Sequence, residues 1–198
     1  IEGKLDLDLQ DLIQCGFMGV QAHQSHAPAA EDLLRFFHDR LAVYLREQGW
    51  PQHLVQAVLA RPQPRLHRLP QRLSALESFS RQEDAQSLVA ANRRIGNLLR
   101  KQAAGEQGPV QAQSLLEPAE VALWSRICAL EPSLEAALRA EEDAKALSLL
   151  ATARPEVDQF FESIMVMADD TNLRRNRLAL IGKLHTMMNQ IADLSVLS

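Results

Sequence analysis

The spacing of apolar residues along the chain predicts a series of helices. Between about residues 30 and 48 the apolar side chains recur every three or four positions and so share one face of an amphipathic helix: Leu33, Leu34, Phe37, Leu41 and Leu45. Similar patterns and their flanking Pro and Gly residues predict helices near 5–18, 50–60, 68–80, 82–103 and 118–129, and one or two over 133–152. Residues that favour strands are few, so the sequence predicts an all-α fold.

Two further helices are predicted at the end of the chain, on either side of a pair of acids. The first has apolar residues at helical spacing: Val157, Phe160, Phe161, Ile164 and Met165. Its C-terminal end is also apolar, which predicts that this end is buried on most sides. The methionines of both helices are interpreted as core filler: Met165, Met167, Met187 and Met188. The acids and the following threonine, at 169–171, predict an N-terminal cap. The last helix then carries a predicted buried stripe of Leu173, Leu180, Leu184, Met187, Ile191 and Leu194.

Charge is segregated along the chain although the net charge is only −4. Residues 60–102 hold 9 basic and 3 acidic side chains, whereas residues 103–172 hold 4 basic and 13 acidic ones, and residues 173–198 hold 4 and 1. If the two basic blocks fold next to each other, they give a positive face on an acidic body.

One predicted helix collects cations on a single face. In AANRRIGNLLRK, residues 90–101, the apolar side chains are predicted to face inward, and the polar ones face outward: Arg93, Arg94, Asn97, Arg100 and Lys101. Such a face suits RNA phosphates. The alternative is a solvated helix whose arginines pair with the acidic block at 103–172, and the pattern leaves both open.

The last helix begins with arginines that oppose its dipole. Arg174, Arg175 and Lys183 lie off the predicted buried stripe, so the preceding acid pair or a polyanion such as RNA phosphate is expected to compensate them. Arg177 falls on the stripe, where we expect a structural role and a pair with Asp169 or Asp170.

Prolines at 60–70 predict a division into residues 1–62 and 63–198.

The chain has no run of about 20 apolar residues and no secretory leader, so we expect an intracellular, cytoplasmic protein without a membrane partner. The opening residues read as the middle of a fold, which predicts a piece of a longer protein. Cys15 and Cys128 are isolated and are expected to be reduced thiols.

Catalytic patterns are absent, so no catalytic residue and no metal ligand are predicted. His23 and His26 form an HxxH pair that lacks the further ligands of a zinc site. His38 and Asp39 match the dipeptide of metal-dependent phosphohydrolases, and a remnant of such an enzyme is a third hypothesis, beside an RNA-binding and a protein-docking module. His53, His67 and His185 are isolated.

Four stretches resemble one known family. FFESIMVMADDTNLRRNRLALIGKL and the ending IADLSVLS closely resemble the C-terminal end of the β subunit of bacterial heterotetrameric glycyl-tRNA synthetase. AANRRIGNLLRK resembles an upstream helix of that subunit, and EDLLRFFHDRLAVYLREQGWPQHLVQAVLA resembles the segment that leads into it. These matches lie near the start, middle and end of the chain and keep their order, so the resemblance covers the whole chain.

The resemblance implies a helical bundle of the DALR anticodon-binding type over residues 63–198, preceded at 1–62 by the last part of an HD-like helical domain. The chain has the family's motif residues Asp170, Leu173, Arg174, Asn176, Arg177 and Leu178, with Asn172 in place of the usual alanine. Asn92, Asn97 and Asn176 are then candidate readers of unstacked RNA bases.

The function implied is tRNA(Gly) binding, with the RNA-binding residues on the two cationic helices: Arg93, Arg94, Asn97, Arg100, Lys101, Arg174, Arg175 and Lys183. Glycylation itself, with ATP and Mg²⁺, is implied for the active site of the α subunit in a heterotetramer of two α and two β subunits. This chain is expected to need no cofactor and to bind no DNA. The alternative is a module that docks the α subunit or a second β subunit through the acidic block, without tRNA contact.

Overall fold

A computed structural model describes residues 11–12, 15, 27–61, 65–101 and 108–197, with side chains from Asp32 onward in the first long helix. The described residues form eight α-helices and no extended strand: α1 Ala27–Glu47, α2 Gln52–Leu59, α3 Leu69–Ser80, α4 Glu83–Arg100, α5 Pro118–Arg139, α6 Asp143–Ala151, α7 Arg154–Ser163 and α8 Thr171–Met188. Short 3₁₀ turns lie at Leu66–Arg68, Ala112–Ser114 and Leu194–Val196. The predicted all-α fold is confirmed, and none of the described helices is long and apolar enough to cross a membrane. The helix predicted at 5–18 lies largely outside the described residues.

The first long helix follows its predicted pattern only in its second half. Leu41 and Leu45 are buried, but Leu33 and Phe37 are exposed, and Leu34 is half-buried. The expected five-residue buried stripe is therefore wrong for its N-terminal half, because within the described part of the chain α1 packs mainly on α2, through its C-terminal turns.

The helix predicted to end near residue 129 continues for ten more residues. Helix α5 passes through Pro132, which lacks the N–H that would bond the carbonyl of Cys128. Cys128 is exposed, so water can solvate that carbonyl. The chain turns at Glu141, a non-glycine residue with φ of 62°, before α6 begins.

The segment between the last two helices is extended rather than helical. Helix α7 ends at Ser163, and the backbone then alternates, with Ile164 and Val166 buried while Met165 and Met167 are 74% and 44% exposed. The prediction of these two methionines as core filler is wrong, because an extended chain turns successive side chains to opposite sides. Met187 and Met188 are buried in α8 as predicted.

The helices pack around one core that reaches from α1 to the end of the chain. Helix α3 lies on α6, α5 on α6 and α7, and α4 on α7 and α8, while the C-terminal 3₁₀ turn contacts α2 and α4. The N–H of Asp193 bonds the carbonyl of Ala57 at 2.8 Å, which ties the end of the chain to α2. Residues on both sides of position 62 thus share a core, and the division there stays a prediction, since Pro62 itself lies outside the described residues.

Candidate nucleic-acid interface

Helices α4 and α8 form an antiparallel pair that brings the two cationic segments together. Buried Asn92 and Asn189 exchange side-chain hydrogen bonds of 3.0 Å in both directions. Four residues further along α4, a Cβ on Gly96 would lie 3.5 Å from Nε2 of His185, which is four residues earlier in α8. The prediction that Asn92 reads RNA bases is wrong, because its side chain is fully buried and fastens the two helices.

One side of α4 presents two arginines and an asparagine beside the C-terminal turn. Arg93, Asn97 and Arg100 are exposed and lie within a narrow angular range of the helix, because positions three, four and seven apart fall on one side. Nη2 of Arg93 donates to the carbonyl of Ser195 at 3.2 Å. Arg100 donates from Nη2 to Oδ1 of Asn97 at 2.5 Å and from Nε to the carbonyl of Gly96 at 3.3 Å.

The other two cations of α4 face a different direction. Arg94 and Lys101 are seven positions apart and lie about 80–100° around the helix from Arg93. The Arg94 guanidinium stands 4.5 Å from the centroid of the Phe161 ring in α7, a cation–π contact. Lys101 is exposed and makes no polar contact with any described residue. The five predicted residues thus share one exposed arc of about 120° on α4, with the C-terminal turn beside one edge and Phe161 beside the other.

The three cations of α8 also face different directions and have different partners. Arg174 stands eleven positions, close to three turns, before His185 and so is on the side of α8 that faces α4. Its Nη1 donates to the carbonyl of Ala168 at 2.8 Å, so this arginine bonds a backbone oxygen rather than a carboxylate of the acid pair. Arg175 is exposed and has no polar partner among the described residues. Lys183 lies on nearly the opposite side of α8 from His185, where it donates to Glu131 of α5.

The predicted cap of α8 is confirmed at one of its residues. Asp170 is the N-cap, and its Oδ1 accepts from the N–H of Leu173 at 2.9 Å. Capping oxygens satisfy helix N–H groups that have no partner within the helix.

The antiparallel register places the C-terminal end of α4 and the N-terminal end of α8 at the same end of the bundle. If the spacing that pairs Asn92 with Asn189 continues, Lys101 lies level with Leu180. Arg174 and Arg175 then lie about 9–11 Å beyond the C-terminal end of α4, given a rise of about 1.5 Å per residue. The cations at the end of α4 and at the start of α8 therefore share one end of the molecule.

None of these six cations pairs with a carboxylate within the described part of the chain: Arg93, Arg94, Arg100, Lys101, Arg174 and Arg175. Other arginines of the same basic block do pair with the acidic block. Arg65 bonds Glu141 at 2.5 Å, and Arg68 bonds Asp143 at 2.7 Å. The alternative in which the arginines of residues 90–101 pair with the acidic block is therefore wrong for the described residues, and such pairing occurs instead at Arg65 and Arg68.

A groove of about 500 Å³ lies between α4 and the C-terminal turn. It is lined by Arg93, Gly96, Asn97, Leu99, Arg100, His185, Asp193 and Ser195. The sequence analysis did not assign His185, Asp193 and Ser195 to a site. Asp193 and Ser195 lie in the C-terminal stretch that carried the resemblance, whereas His185 could be found only from the antiparallel pairing of α4 with α8. Burial lowers the pKa of His185, the Arg61 guanidinium adds to that shift, and Asp193 opposes it.

Two further motif residues of α8 have structural roles. Asn176 is 6% exposed, and its side chain accepts from the N–H of Gln111 at 2.8 Å and donates to its carbonyl at 3.1 Å, so the prediction that it reads bases is wrong. Arg177 is buried, and its Nε donates to Glu120 at 2.5 Å, while Nη1 donates to the carbonyl of Met165 at 2.9 Å. Its structural role is confirmed, but the predicted partners Asp169 and Asp170 are wrong, since Glu120 of α5 takes that place.

Among the described residues no group of three or more His, Cys, Asp or Glu side chains could hold a metal ion. His38 and Asp39 lie on α1, half-buried and exposed, and His23 and His26 lie outside the described residues.

Comparison with known proteins agrees with this geometry. A model of the DALR anticodon binding domain matches residues 88–195, a range that contains most of α4, all of α8 and every residue that lines the groove. Over the whole chain, the sequence is 42% identical to a glycine–tRNA ligase beta subunit of Janthinobacterium sp. (strain Marseille), 39% to that of Dechloromonas aromatica (strain RCB) and 38% to that of Ralstonia nicotianae. The chain spans 28% of the length of each of these relatives. The resemblance drawn from the sequence is thus confirmed, and the chain belongs to the family of DALR anticodon binding domains.

Proposed function

We propose that this chain binds the anticodon region of tRNA(Gly) with the exposed cations of α4 and of the start of α8. The observation that carries the proposal is the contrast between two sets of arginines in one basic block. Arg65 and Arg68 pair with acids of the chain itself, whereas Arg93, Arg100 and Lys101 are exposed without a carboxylate partner in the described part of the chain. Exposed cations at a shared end of a bundle fit a flexible phosphate backbone, since each contact releases counterions.

The interface combines two types of contact. Arg93, Arg100, Lys101 and Arg175 supply charge for phosphates, which position RNA without reading its sequence. Asn97 lies in the groove, where it can meet an unstacked base, as sequence-specific RNA recognition requires. Arg94 stays in the proposed interface as a flanking cation, and Lys183, which is bonded to Glu131, lies away from it.

In the whole protein, this binding supports the glycylation of tRNA(Gly). The catalytic step, with ATP and Mg²⁺, belongs in this proposal to the α subunit, in an assembly of two α and two β subunits in the cytoplasm. The present chain contributes affinity and specificity for the RNA and no catalytic residue.

A titration at two salt concentrations tests the proposal. The chain is titrated with tRNA(Gly) and with a non-cognate tRNA at 50 and 200 mM salt, and the parent is compared with a variant that carries Arg93→Glu, Arg100→Glu and Arg175→Glu. Arg174 is left in place because it holds the preceding loop. We expect tighter binding of tRNA(Gly), a steep loss of affinity with salt in the parent, and a salt slope reduced by about 2 in the variant, at roughly 0.7–0.9 per phosphate contact.

A matched variant controls for net charge. Arg81→Glu, Arg139→Glu and Lys145→Glu change the charge by the same amount at exposed sites, where each cation pairs only with a nearby acid on its own helix or turn. This variant should bind tRNA(Gly) within about twofold of the parent, since exposed pairs contribute little. Equal binding by both triple variants would refute the interface, and capture of the α subunit by a chain without tRNA affinity would favour docking instead.

A further inference from the structure

Large apolar side chains are exposed in two places within the described part of the chain. One group lies in α1 and before it, and the other lies around the start of α5 and in the segment that leads into α8. Single apolar side chains at a surface are ordinary, whereas a group of them marks an interaction surface. The second group, called the apolar patch below, consists of Leu116, Val121, Met165 and Met167.

A buried ion pair joins the two segments that carry the apolar patch. Nη1 of Arg177 donates to the carbonyl of Met165 at 2.9 Å, and Nε of Arg177 donates to Oε1 of Glu120 at 2.5 Å. Oε2 of Glu120 in turn accepts from the N–H of Leu116 at 2.9 Å. Val121 directly follows Glu120 on α5. The four apolar side chains therefore come from backbone held around one pair of charged side chains, and they lie close together at the surface.

The fold holds the two methionines outward. Ile164 and Val166 are buried, so the side chains that alternate with them, Met165 and Met167, point away from the core. The bond from Arg177 fixes the backbone at the first of these methionines. Methionine is flexible and polarizable, and it packs against apolar partners of varied shape. A surface of this kind suits an apolar partner rather than a chain of phosphates.

Acids without ion-pair partners border the apolar patch. Glu117 directly follows Leu116, and Asp169 lies two residues after Met167. Both acids are exposed, and neither pairs with a cation of the described residues. Arg174, on the first turn of α8, donates to the carbonyls of Ala168 and Asp169 rather than to a carboxylate. An apolar centre with an acidic rim selects a partner that is apolar at its centre and basic at its edges.

The apolar patch lies apart from the proposed RNA contact of α8. Arg175, which supplies that contact, is two positions before Arg177 and therefore about 160° around the helix from it. Arg177 marks the side of α8 that faces the apolar patch, because it holds Met165. The cation and the apolar patch are thus on nearly opposite sides of this helix.

We propose that the apolar patch docks an amphipathic helix of a protein partner, with lysine or arginine beside its apolar face. The apolar face of that helix covers the patch, and its cations meet Glu117 and Asp169, as in other complexes in which a helix lies on an apolar surface. The inference goes beyond the proposed RNA-binding function and uses different residues, so the chain can make both contacts at once.

Two synthetic peptides of opposite charge test the chemistry of the partner. Each is an amphipathic helix of about 18 residues, or about five turns, with leucine on one face and either lysine or glutamate on the other. Fluorescence anisotropy measures their binding to the 198-residue chain at low salt. We expect the lysine peptide to bind at least about tenfold more tightly, because like charges oppose the glutamate peptide at the rim. Equal binding of the two peptides would overturn the proposal.

A pair of neutralised acids locates the charge preference. Glu117→Gln with Asp169→Asn should reduce the preference for the lysine peptide to about threefold or less, because the rim loses its charge. Glu135→Gln with Glu142→Gln removes the same charge at exposed positions more than three turns along α5 and after it, and should keep the preference of the parent. If both variants behave alike, the acids beside the apolar patch do not select the partner.

A methionine variant tests the apolar patch itself. Met165→Gln with Met167→Gln keeps the length of two exposed side chains but makes them polar, and should weaken the lysine peptide about tenfold or more. Leu33→Gln with Phe36→Gln removes two exposed apolar side chains from α1 and should bind as the parent does. If the methionine variant binds as the parent does, or if only the α1 variant loses binding, the apolar patch is not the docking surface.

Two further measurements separate this inference from other occupants and from the RNA interface. Sedimentation should find the parent monomeric, and a dimer that the methionine variant converts to monomers would overturn the proposal in favour of a second copy of the chain. The variant with Arg93→Glu, Arg100→Glu and Arg175→Glu should still bind the lysine peptide while it loses affinity for tRNA(Gly). Loss of both affinities in this variant would refute a separate docking surface, and loss of tRNA binding by the methionine variant would do the same.

Discussion

Two groups of arginines from one basic segment, residues 60–102, are used in opposite ways. Arg68 is 6% exposed and meets Asp143, which is 1% exposed, at 2.7 Å between α3 and α6. Arg93 and Arg100, on α4, are exposed and bond only to a backbone carbonyl or to their own helix. Residue type and local charge density therefore do not tell the two uses apart.

The difference arises from where the acidic residues of the chain fold. The turn between α5 and α6 brings Glu141 and Asp143 to α3, where their carboxylates neutralise the arginines that lead into and begin that helix. No described carboxylate pairs with a cation of α4, and Asp193 caps its own turn instead. An arginine that lacks an internal acid remains available for an external anion.

Because the cluster of Arg68, Arg72 and Asp143 is buried, its contribution to stability depends on each charge having a partner, which is not so for the exposed arginines of α4. Burial raises the pKa of Asp143, and the Arg72 and Arg68 guanidiniums oppose that shift. A buried ion pair contributes little net stability by itself, but removal of one partner leaves an uncompensated charge in the interior.

The largest effect is expected when that cluster loses its acid. Asp143→Ala should lower the free energy of unfolding by about 3–5 kcal/mol, because Arg68 loses its buried carboxylate partner and keeps only the more exposed Glu141. Urea denaturation measures the loss, and Glu135→Ala, which breaks an exposed pair with Arg139, should stay within about 0.5 kcal/mol of the parent. A small loss for Asp143→Ala would show that water reaches the cluster, and the contrast between its buried arginines and the exposed arginines of α4 would then not hold.

A single exposed arginine should show the reverse pattern. Arg93→Ala is expected to leave the free energy of unfolding within about 0.5 kcal/mol of the parent. Its affinity for tRNA(Gly) should fall about two- to tenfold, through loss of one solvent-exposed phosphate contact worth about 0.5–1.5 kcal/mol. Arg81→Ala serves as the matched control, since Arg81 pairs only with Glu77 four residues earlier, and it should change neither quantity. Equal tRNA affinities for the two variants would mean that exposure alone does not mark the interface.

The smallest expected effect is a pH dependence of stability from His185. Its folded-state pKa lies below the ordinary value of 6.5, chiefly because of burial, so the folded state binds a proton less readily than the unfolded state. Its contribution to stability is therefore present above pH 6.5 and is lost as pH falls from there through the folded-state pKa.

Unfolding free energies of the parent and of His185→Gln at pH 7.5 and 5.5 measure this dependence. The parent should lose more stability than the variant over this interval. The raised pKa of Asp143 acts in both proteins and cancels in the difference. An identical loss in the two proteins would contradict the assignment.

Much of the fold could be predicted from the local spacing of apolar residues. The errors in that prediction also have local causes. The 3.6-residue spacing located α3, α4 and α8, but it could not show that the chain after Ser163 becomes extended, because Met165 and Met167 are apolar in either conformation. The predicted break between helices near residue 129 is absent, because Pro132 is accommodated within α5. The cationic residues of the proposed site were predicted from charge and resemblance, whereas the position of His185 beside α4 required knowledge of which helices pair.

The sequence by itself determined that this chain is a helical bundle of the DALR family with cations concentrated on α4 and at the start of α8, because periodicity, charge and motif are local properties of a chain. Only the tertiary structure decided which of those cations remain free. Asn92 was assigned inward, Lys183 to Glu131 and Arg177 to Glu120 by contacts between residues 52–97 positions apart. The partners of a polar side chain depend on which distant acids and amides the fold places beside it, and no local pattern specifies that choice.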